Sequence, residues 1–315
     1  MSRVVHKTKT TSLFLAFLSL TTTLLTEAFS SFVRLSPSRH AYALDGAVNS
    51  VLLSSRPTVA LSSTKTDSID QYMADLQQQK MKLIQLCERT VKPIKEEVNK
   101  CVRELEILGE QLGVGQGSSY SGLLAGEWEL LYSPEDITRS SPFFWAFRKA
   151  FPDKSDDIFA IADAIPPPFK EAGPATQTIT LDAIPVDSVT STSGVGKLVS
   201  RVKVATLGGV ATSMMTTRAT ILGAEGIDGL KLRVDTTKPE DSTILQKLGP
   251  LGEFLNENSP PFPSGEVLER VTRGSSEVII RTTYCDETLR ISRNADNAQD
   301  AYVWRRLSFK GVSEV

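Results

Sequence analysis

The chain of 315 residues carries 35 Lys and Arg against 37 Asp and Glu, with two His and three Cys. Both histidines, His6 and His40, fall in the first 66 residues, so beyond that point Ser-His-Asp and Cys-His catalysis and His-ligated zinc have no residues to work with. Those 66 residues hold seven of the cations and two of the anions, which leaves 28 basic against 35 acidic residues, a net of −7, and speaks against a duplex nucleic-acid partner.

Arg3, His6, Lys7 and Lys9 precede an uncharged apolar run from Ser12 to Leu25, and Thr26-Glu27-Ala28 closes it on a small residue. This predicts a signal peptide over residues 1–28, too short and too poorly flanked for a membrane span. Residues 29–66 are Ser-rich, with Arg34, Arg39, Arg56 and Lys65 against one acid, Asp45, which is the chemistry of a disordered transit peptide. Joined at Ala28-Phe29, the two resemble the bipartite presequence of complex plastids; the competing reading is a secreted protein with a Ser-rich neck.

Residues 67–117 are predicted to form amphipathic helices and a Gly-rich connector. Ile69, Tyr72, Met73, Leu76, Leu83, Leu86 and their successors to Leu112 recur at threes and fours among Gln, Lys and Glu. Pro93 divides the run in two, and Gly113 to Gly117 stops the second helix. The stripe either packs on the domain that follows or docks another protein. Cys87 and Cys101, 14 positions apart, would be roughly 21 Å apart on one continuous helix, beyond the ~7 Å that a disulfide spans. With Cys285 read as a strand thiol, three unpaired thiols fit a reducing compartment.

From Leu123 the period changes to two. Strands are expected over Glu127–Tyr132, Thr176–Leu181, Lys197–Thr206, Ser213–Leu222, Leu230–Asp235, Glu277–Thr283, Thr288–Ser292 and Tyr302–Leu307, with another around Val186–Thr190. The fold class is mostly β with an N-terminal helical segment (α+β). About eight or nine antiparallel strands over residues 120–312 favour a closed barrel or a sandwich. Helical insertions are expected near 140–169 and 241–256. The first carries Phe143, Phe144, Trp145, Phe147 and Phe151. In the second, Asp241 or Ser242 is the expected N-cap of a helix reaching Leu255. Such apolar insertions must cover something, as lids or as membrane feet, although burial within the protein is the commonest fate of such aromatics.

Gly126-Glu127-Trp128 opens the first strand and resembles the lipocalin G-x-W entry, where the indole plugs one end and a late-strand Arg lies over it. That contact is worth roughly 0.5–2 kcal/mol, and Arg290, Arg305 and Arg306 are the candidates. Gly194-Val195-Gly196-Lys197 lacks the first Gly and the Ser/Thr of a phosphate-binding loop, and no Cys-x-x-Cys occurs. No nucleophile has a plausible base. A non-enzymatic protein is expected, with no catalytic residues, cofactor or metal.

The run Arg281-Thr282-Thr283-Tyr284-Cys285-Asp286-Glu287-Thr288-Leu289-Arg290-Ile291-Ser292-Arg293 resembles the closing motif of the plastid lipid-associated (PAP/fibrillin) family, T-Y-L-D-E-x-L-R-I-S-R-G. Cys285 replaces Leu and Asn294 replaces Gly. The resemblance spans roughly Leu76 to Trp304 and includes Leu123-Leu124-Ala125-Gly126-Glu127-Trp128-Glu129-Leu130-Leu131-Tyr132-Ser133. It implies a lipocalin-like barrel at thylakoids or plastoglobules, associated with lipids, carotenoids or quinones in a structural or stress-protective role. In the closing motif, alternation puts Asp286, Thr288, Arg290 and Ser292 on one face and Glu287, Leu289, Ile291 and Arg293 on the other, the more apolar and so the expected core wall. Asp286 and Arg290 either pair to fix the last turns or hold a ligand's polar head. Candidate ligand contacts are Trp128, Tyr132, Phe143, Phe144, Trp145, Phe147, Tyr284, Asp286, Arg290 and Arg293. The expected partners are a hydrophobic lipid or isoprenoid and a membrane or plastoglobule surface. Alternatives are a lipocalin-like enzyme using Asp286 or Glu287 as acid/base, and a scaffold docking a prenyl-lipid biosynthetic enzyme through the N-terminal helices.

Overall fold

The structure, a computed structural model, describes residues 64–308 apart from 90, 116–121, 167–168, 183–194, 207, 248 and 251–258. The presequence, the strand expected around Val186–Thr190 and the distal part of the 241–256 insertion lie outside the described residues.

Helix α1 (Thr64–Cys87) and helix α2 (Lys95–Leu112) fall on either side of Pro93. Glu96 and Glu97 in the first turn of α2 complement its dipole. Gly113, at φ 68°, closes the helix in the left-handed region that only glycine occupies cheaply. The break turns α2 back along α1, so that Gln79 Nε2 donates to Glu104 at 2.7 Å and Arg89 faces Glu97 at 3.7 Å. The 21 Å separation expected for Cys87 and Cys101 therefore does not hold, because one continuous helix does not exist. Both thiols are buried in the same interface and unbonded. Burial pushes Cys87 up to about 12, and Cys101 beside it adds to the shift.

Eight strands follow: β1 (Gly126–Tyr132), β2 (Lys170–Leu181), β3 (Gly196–Thr206), β4 (Ala211–Glu225), β5 (Gly229–Glu240), β6 (Glu277–Cys285), β7 (Leu289–Asn294) and β8 (Asn297–Ser308). Each pairs antiparallel with the next, and β8 returns to β1 through Glu129↔Arg305 and Leu130↔Trp304. The sheet closes into a ring, which removes its edges and decides against the sandwich. Several strands run longer than their alternation suggested. β2 begins at Lys170 rather than Thr176, and β5 continues to Glu240 rather than Asp235.

Two register shifts organise the packing. One lies between Leu130 and Tyr132, the other between Thr282 and Tyr284. An extra residue in one strand inverts the alternation beyond it. Leu130 packs in the interior core with Trp128 and Trp304, whereas Tyr132 and Tyr284 join a second core on the outer face. There they meet Leu83, Leu86, Val98, Val102 and Leu105 of the helix pair, together with Leu289, Ile291, Ala301 and Val303. The apolar stripe of α1 and α2 is thus spent largely on β1, β6, β7 and β8.

The other end of the ring, where β1 finishes and β2 begins, is covered by helices. After a short 3-10 turn (Ile137–Ser140) come α3 (Pro142–Ala150) and α4 (Ser155–Asp163). Proline opens α3 where its missing amide costs nothing. Of the second insertion, the described helix is only α5 (Thr243–Gln246). Asp241, at φ 52°, sits in the left-handed region, and Ser242, the other expected N-cap, takes that position, its carbonyl accepting from the Gln246 amide at 3.0 Å. Helix α6 (Ser264–Val271) was not anticipated. It lies so close to β5 that a Cβ on Gly265 would fall 1.8 Å from the Val234 carbonyl oxygen, which explains the glycine.

Candidate functional site

The sealed end of the ring is built on Trp128, which is fully buried and donates its indole N–H to the Leu124 carbonyl at 2.9 Å. Two guanidinium groups lie over its ring, Arg306 at 4.1 Å and Arg290 at 5.1 Å from the centroid. Arg306 donates to the carbonyls of Ala125 (2.7 Å), Leu123 and Asp286 (3.4 Å), tying the chain before β1 to the end of β6. Arg305, the third candidate, points outward to Glu88 and Glu129.

Cross-strand pairing places Trp128, Gln177, Ser200, Thr217 and Thr237 in one row from β1 to β5. Directly paired residues share a face, so this row faces the interior with Trp128. Arg290 reaches across the ring to Gln177, its Nη2 donating to Oε1 at 2.6 Å, and also lies 4.7 Å from the Trp304 ring. Arg290 has no solvent exposure, and its Nε and Nη1 have no hydrogen-bond partner; the Ser200 hydroxyl is likewise buried and unpartnered. Burial pulls the Arg290 guanidinium down to about 9. Cys285, paired with Arg290 across β6 and β7, gives no counter-charge, because burial pushes its thiol up to about 11.

These positions correct the expected arrangement of the closing motif. Arg290 and Ser292 face the interior, while Leu289, Ile291 and Arg293 face the helix pair. Both faces of β7 are core walls, and the more apolar one belongs to the outer core. Asp286 does not pair with Arg290. Its carboxylate meets Lys80 of α1 at 2.6 Å, accepts from the Tyr284 hydroxyl at 2.7 Å, and caps the turn through the amides of Thr288 (2.7 Å) and Leu289 (2.9 Å). Arg293 pairs with Glu106 of α2 at 2.5 Å. Of the ten candidate ligand contacts, Trp128, Trp145 and Arg290 belong to the interior, whereas Tyr132, Tyr284, Asp286 and Arg293 fasten the helix pair. Glu287 is exposed. Neither acid proposed as a catalyst faces the ring interior.

Burial works against ionisation of Asp286, but Lys80, the two amides and Tyr284 together hold its carboxyl below the usual carboxylate range. A depressed folded-state pKa gives stability that is present above the unfolded value of ~3.9 and is lost as pH falls through the folded value. Asp286→Asn keeps the turn-capping oxygen and strands Lys80. We expect it to cost about 1–2 kcal/mol at pH 7 and to flatten the loss of stability below about pH 4. Urea unfolding from pH 3 to 7 measures both; an unchanged acid limb would show that the carboxylate contributes nothing.

At the helix-covered end, Ser141 Oγ donates to Thr217 Oγ1 at 3.1 Å and Gln177 Nε2 to the Ser140 carbonyl at 3.3 Å, so the start of α3 sits on the interior row. Trp145 is buried 5.6 Å from the Tyr302 ring and donates to the Arg139 carbonyl. Phe147 is buried and, with half-buried Phe144, packs on Phe159 of α4 at 5.8 and 5.9 Å, while Phe143 meets Phe144 edge to face at 5.1 Å. These aromatics pack α3 and α4 together over this end of the ring. Beside them lies a depression of about 510 Å³ lined by Glu135, Trp145, Arg148, Asn294 and Asn297, outside the interior row. Among the described residues, no helix is long and apolar enough to cross a membrane.

Sequence reasoning missed Gln177, Ser200 and Lys80. The first two are polar residues of β2 and β3 whose inward direction only the register reveals. Lys80 looks like one more solvated lysine on a polar helix. No family model, curated protein or solved structure matches the chain.

Proposed function

We propose that the protein is a non-enzymatic, lipocalin-like carrier of a plastid lipid or isoprenoid, a carotenoid, quinone or other lipid, held peripherally at thylakoids or plastoglobules in a structural or stress-protective role. The observation that carries this reading is the interior wall of the closed ring. Strands β2 to β5 present it with small and aliphatic residues, among them Ala175, Ile179, Leu198, Ser200, Val202 and Ala219, all buried. The bulky groups Trp128, Arg290, Trp304 and Tyr302 come from β1, β7 and β8. An eight-stranded ring is of the width that its own side chains fill or that holds one small ligand, and each buried Å² of apolar surface contributes roughly 25 cal/mol. The resemblance of the closing motif and the presequence-like leader support the plastid setting.

The test is uptake of a polyene by delipidated protein. Trp128 and Trp304 border the interior, so a carotenoid bound there should quench tryptophan emission and saturate near one molecule per chain. Quenching that never saturates, or none at all, would sink the carrier reading.

A further inference from the structure

A guanidinium fully withdrawn from water, with two of its nitrogens unpartnered and no acid facing it among the described residues, is costly. Burying a charge is tolerable only when it is paired and hydrogen-bonded. The ionisable groups facing Arg290 are the neutral Cys285 thiol and a second cation, Arg306, which spends its donors on the three carbonyls of the sealed end. Asp286 is turned away to Lys80. Gln177 satisfies one guanidinium nitrogen and is itself fixed by the Ser140 carbonyl. Next to it in the row, Ser200 presents a hydroxyl with no partner. The interior therefore holds a positive charge that lies over the Trp128 and Trp304 rings without a facing acid among the described residues, and Gln177, which it bonds, is paired across the strands with the unpartnered Ser200. The missing complement is one negative charge with two acceptor oxygens.

We infer that the ring selects a lipid bearing a carboxylate, whose oxygens are held by Nε and Nη1 of Arg290 and by the Ser200 hydroxyl, with its chain along the aliphatic wall. The inference rests on the carrier reading and narrows its ligand class. A carboxylate matches the planar guanidinium edge through two charge-assisted hydrogen bonds, and a neutral alcohol of equal length does not. Orphaned donors of this kind make a site reject an analogue that cannot pair with them.

The discriminating experiment titrates delipidated full-length protein with oleate and with oleyl alcohol at pH 7.5, reading tryptophan fluorescence. Oleate should bind at least about tenfold more tightly, the ratio that one charge-assisted hydrogen bond supports. Arg290→Met, of similar length and uncharged, should abolish the preference, so that oleate binds no more tightly than the alcohol, because a carboxylate buried without a counter-charge is penalised. Ser200→Ala should weaken oleate alone. The wild-type comparison needs no variant, so a failure of Arg290→Met to fold leaves the test intact. Equal affinities in the wild type would overturn the carboxylate inference and leave the carrier reading standing; they would mean that internal water alone serves Arg290. If neither probe binds but a carotenoid does, the inference falls by itself. If none of the three binds, both fall.

Discussion

Trp128→Ala should leave the protein barely folded. The indole fills the sealed end and carries two guanidinium groups over its ring. Truncating a buried Trp costs about 3–5 kcal/mol through lost transfer energy and the cavity left behind. The two cation contacts add about 0.5–2 kcal/mol. Arg290 would then face a void with even fewer compensating groups. A total near 5 kcal/mol corresponds to a fall in Tm of roughly 10–20 °C for a domain of this size. Trp128→Phe keeps a ring for both arginines and should lose less than half as much. Thermal unfolding followed by circular dichroism separates the variants. A shift of only a few degrees in Trp128→Ala would mean that the sealed end is not where the fold is held.

The second large effect is expected at the opposite end. Glu135 accepts two hydrogen bonds from Arg148, at 2.8 and 2.5 Å, and one from Arg139 at 3.0 Å. Arg139 reaches on to Asp163 at 2.5 Å, and both arginines lie over the Phe159 ring, at 4.6 and 4.9 Å. One carboxylate thus joins the 3-10 turn, α3 and α4 across the mouth. Burial opposes its charge, yet the two arginines hold its pKa below the usual range. Glu135→Ala leaves two poorly solvated cations facing one another. Breaking a buried pair costs about 3–5 kcal/mol, and partial exposure of Arg148 reduces this to about 2–4 kcal/mol. Glu135→Gln should fall between the two. Protease resistance of the 140–169 segment is the local readout, and urea unfolding the global one. A loss under about 0.5 kcal/mol, the level of an exposed pair, would show that the aromatics alone hold these helices together.

Much of the ring was legible because alternation is a direct consequence of a half-buried strand, and Gly126-Glu127-Trp128 with late arginines located the sealed end. The helix break at Pro93 was equally plain. What could not be read is which face of β7 is inside. Leu289 and Ile291 do face a core, but it is the one beneath α1 and α2, so apolarity could not distinguish the two. Tyr132 and Tyr284 were misplaced for a different reason: the register shifts before them invert the period-two rule, and nothing in their side chains announces a bulge. Helix α6 escaped because eight residues behind three prolines carry too little periodicity. Asp286 was paired with the wrong partner because the true one, Lys80, lies 206 positions away, and only the folded helix pair brings it near.

The account stands or falls on whether the interior carries a passenger in the cell. Mass spectrometry of lipids extracted from the chain isolated from its native cells, alongside a Trp128→Ala preparation, asks this directly. One lipid or isoprenoid species enriched near one equivalent in the wild type and depleted in the variant is the predicted result. A wild-type extract indistinguishable from the bulk lipid of those cells would contradict it.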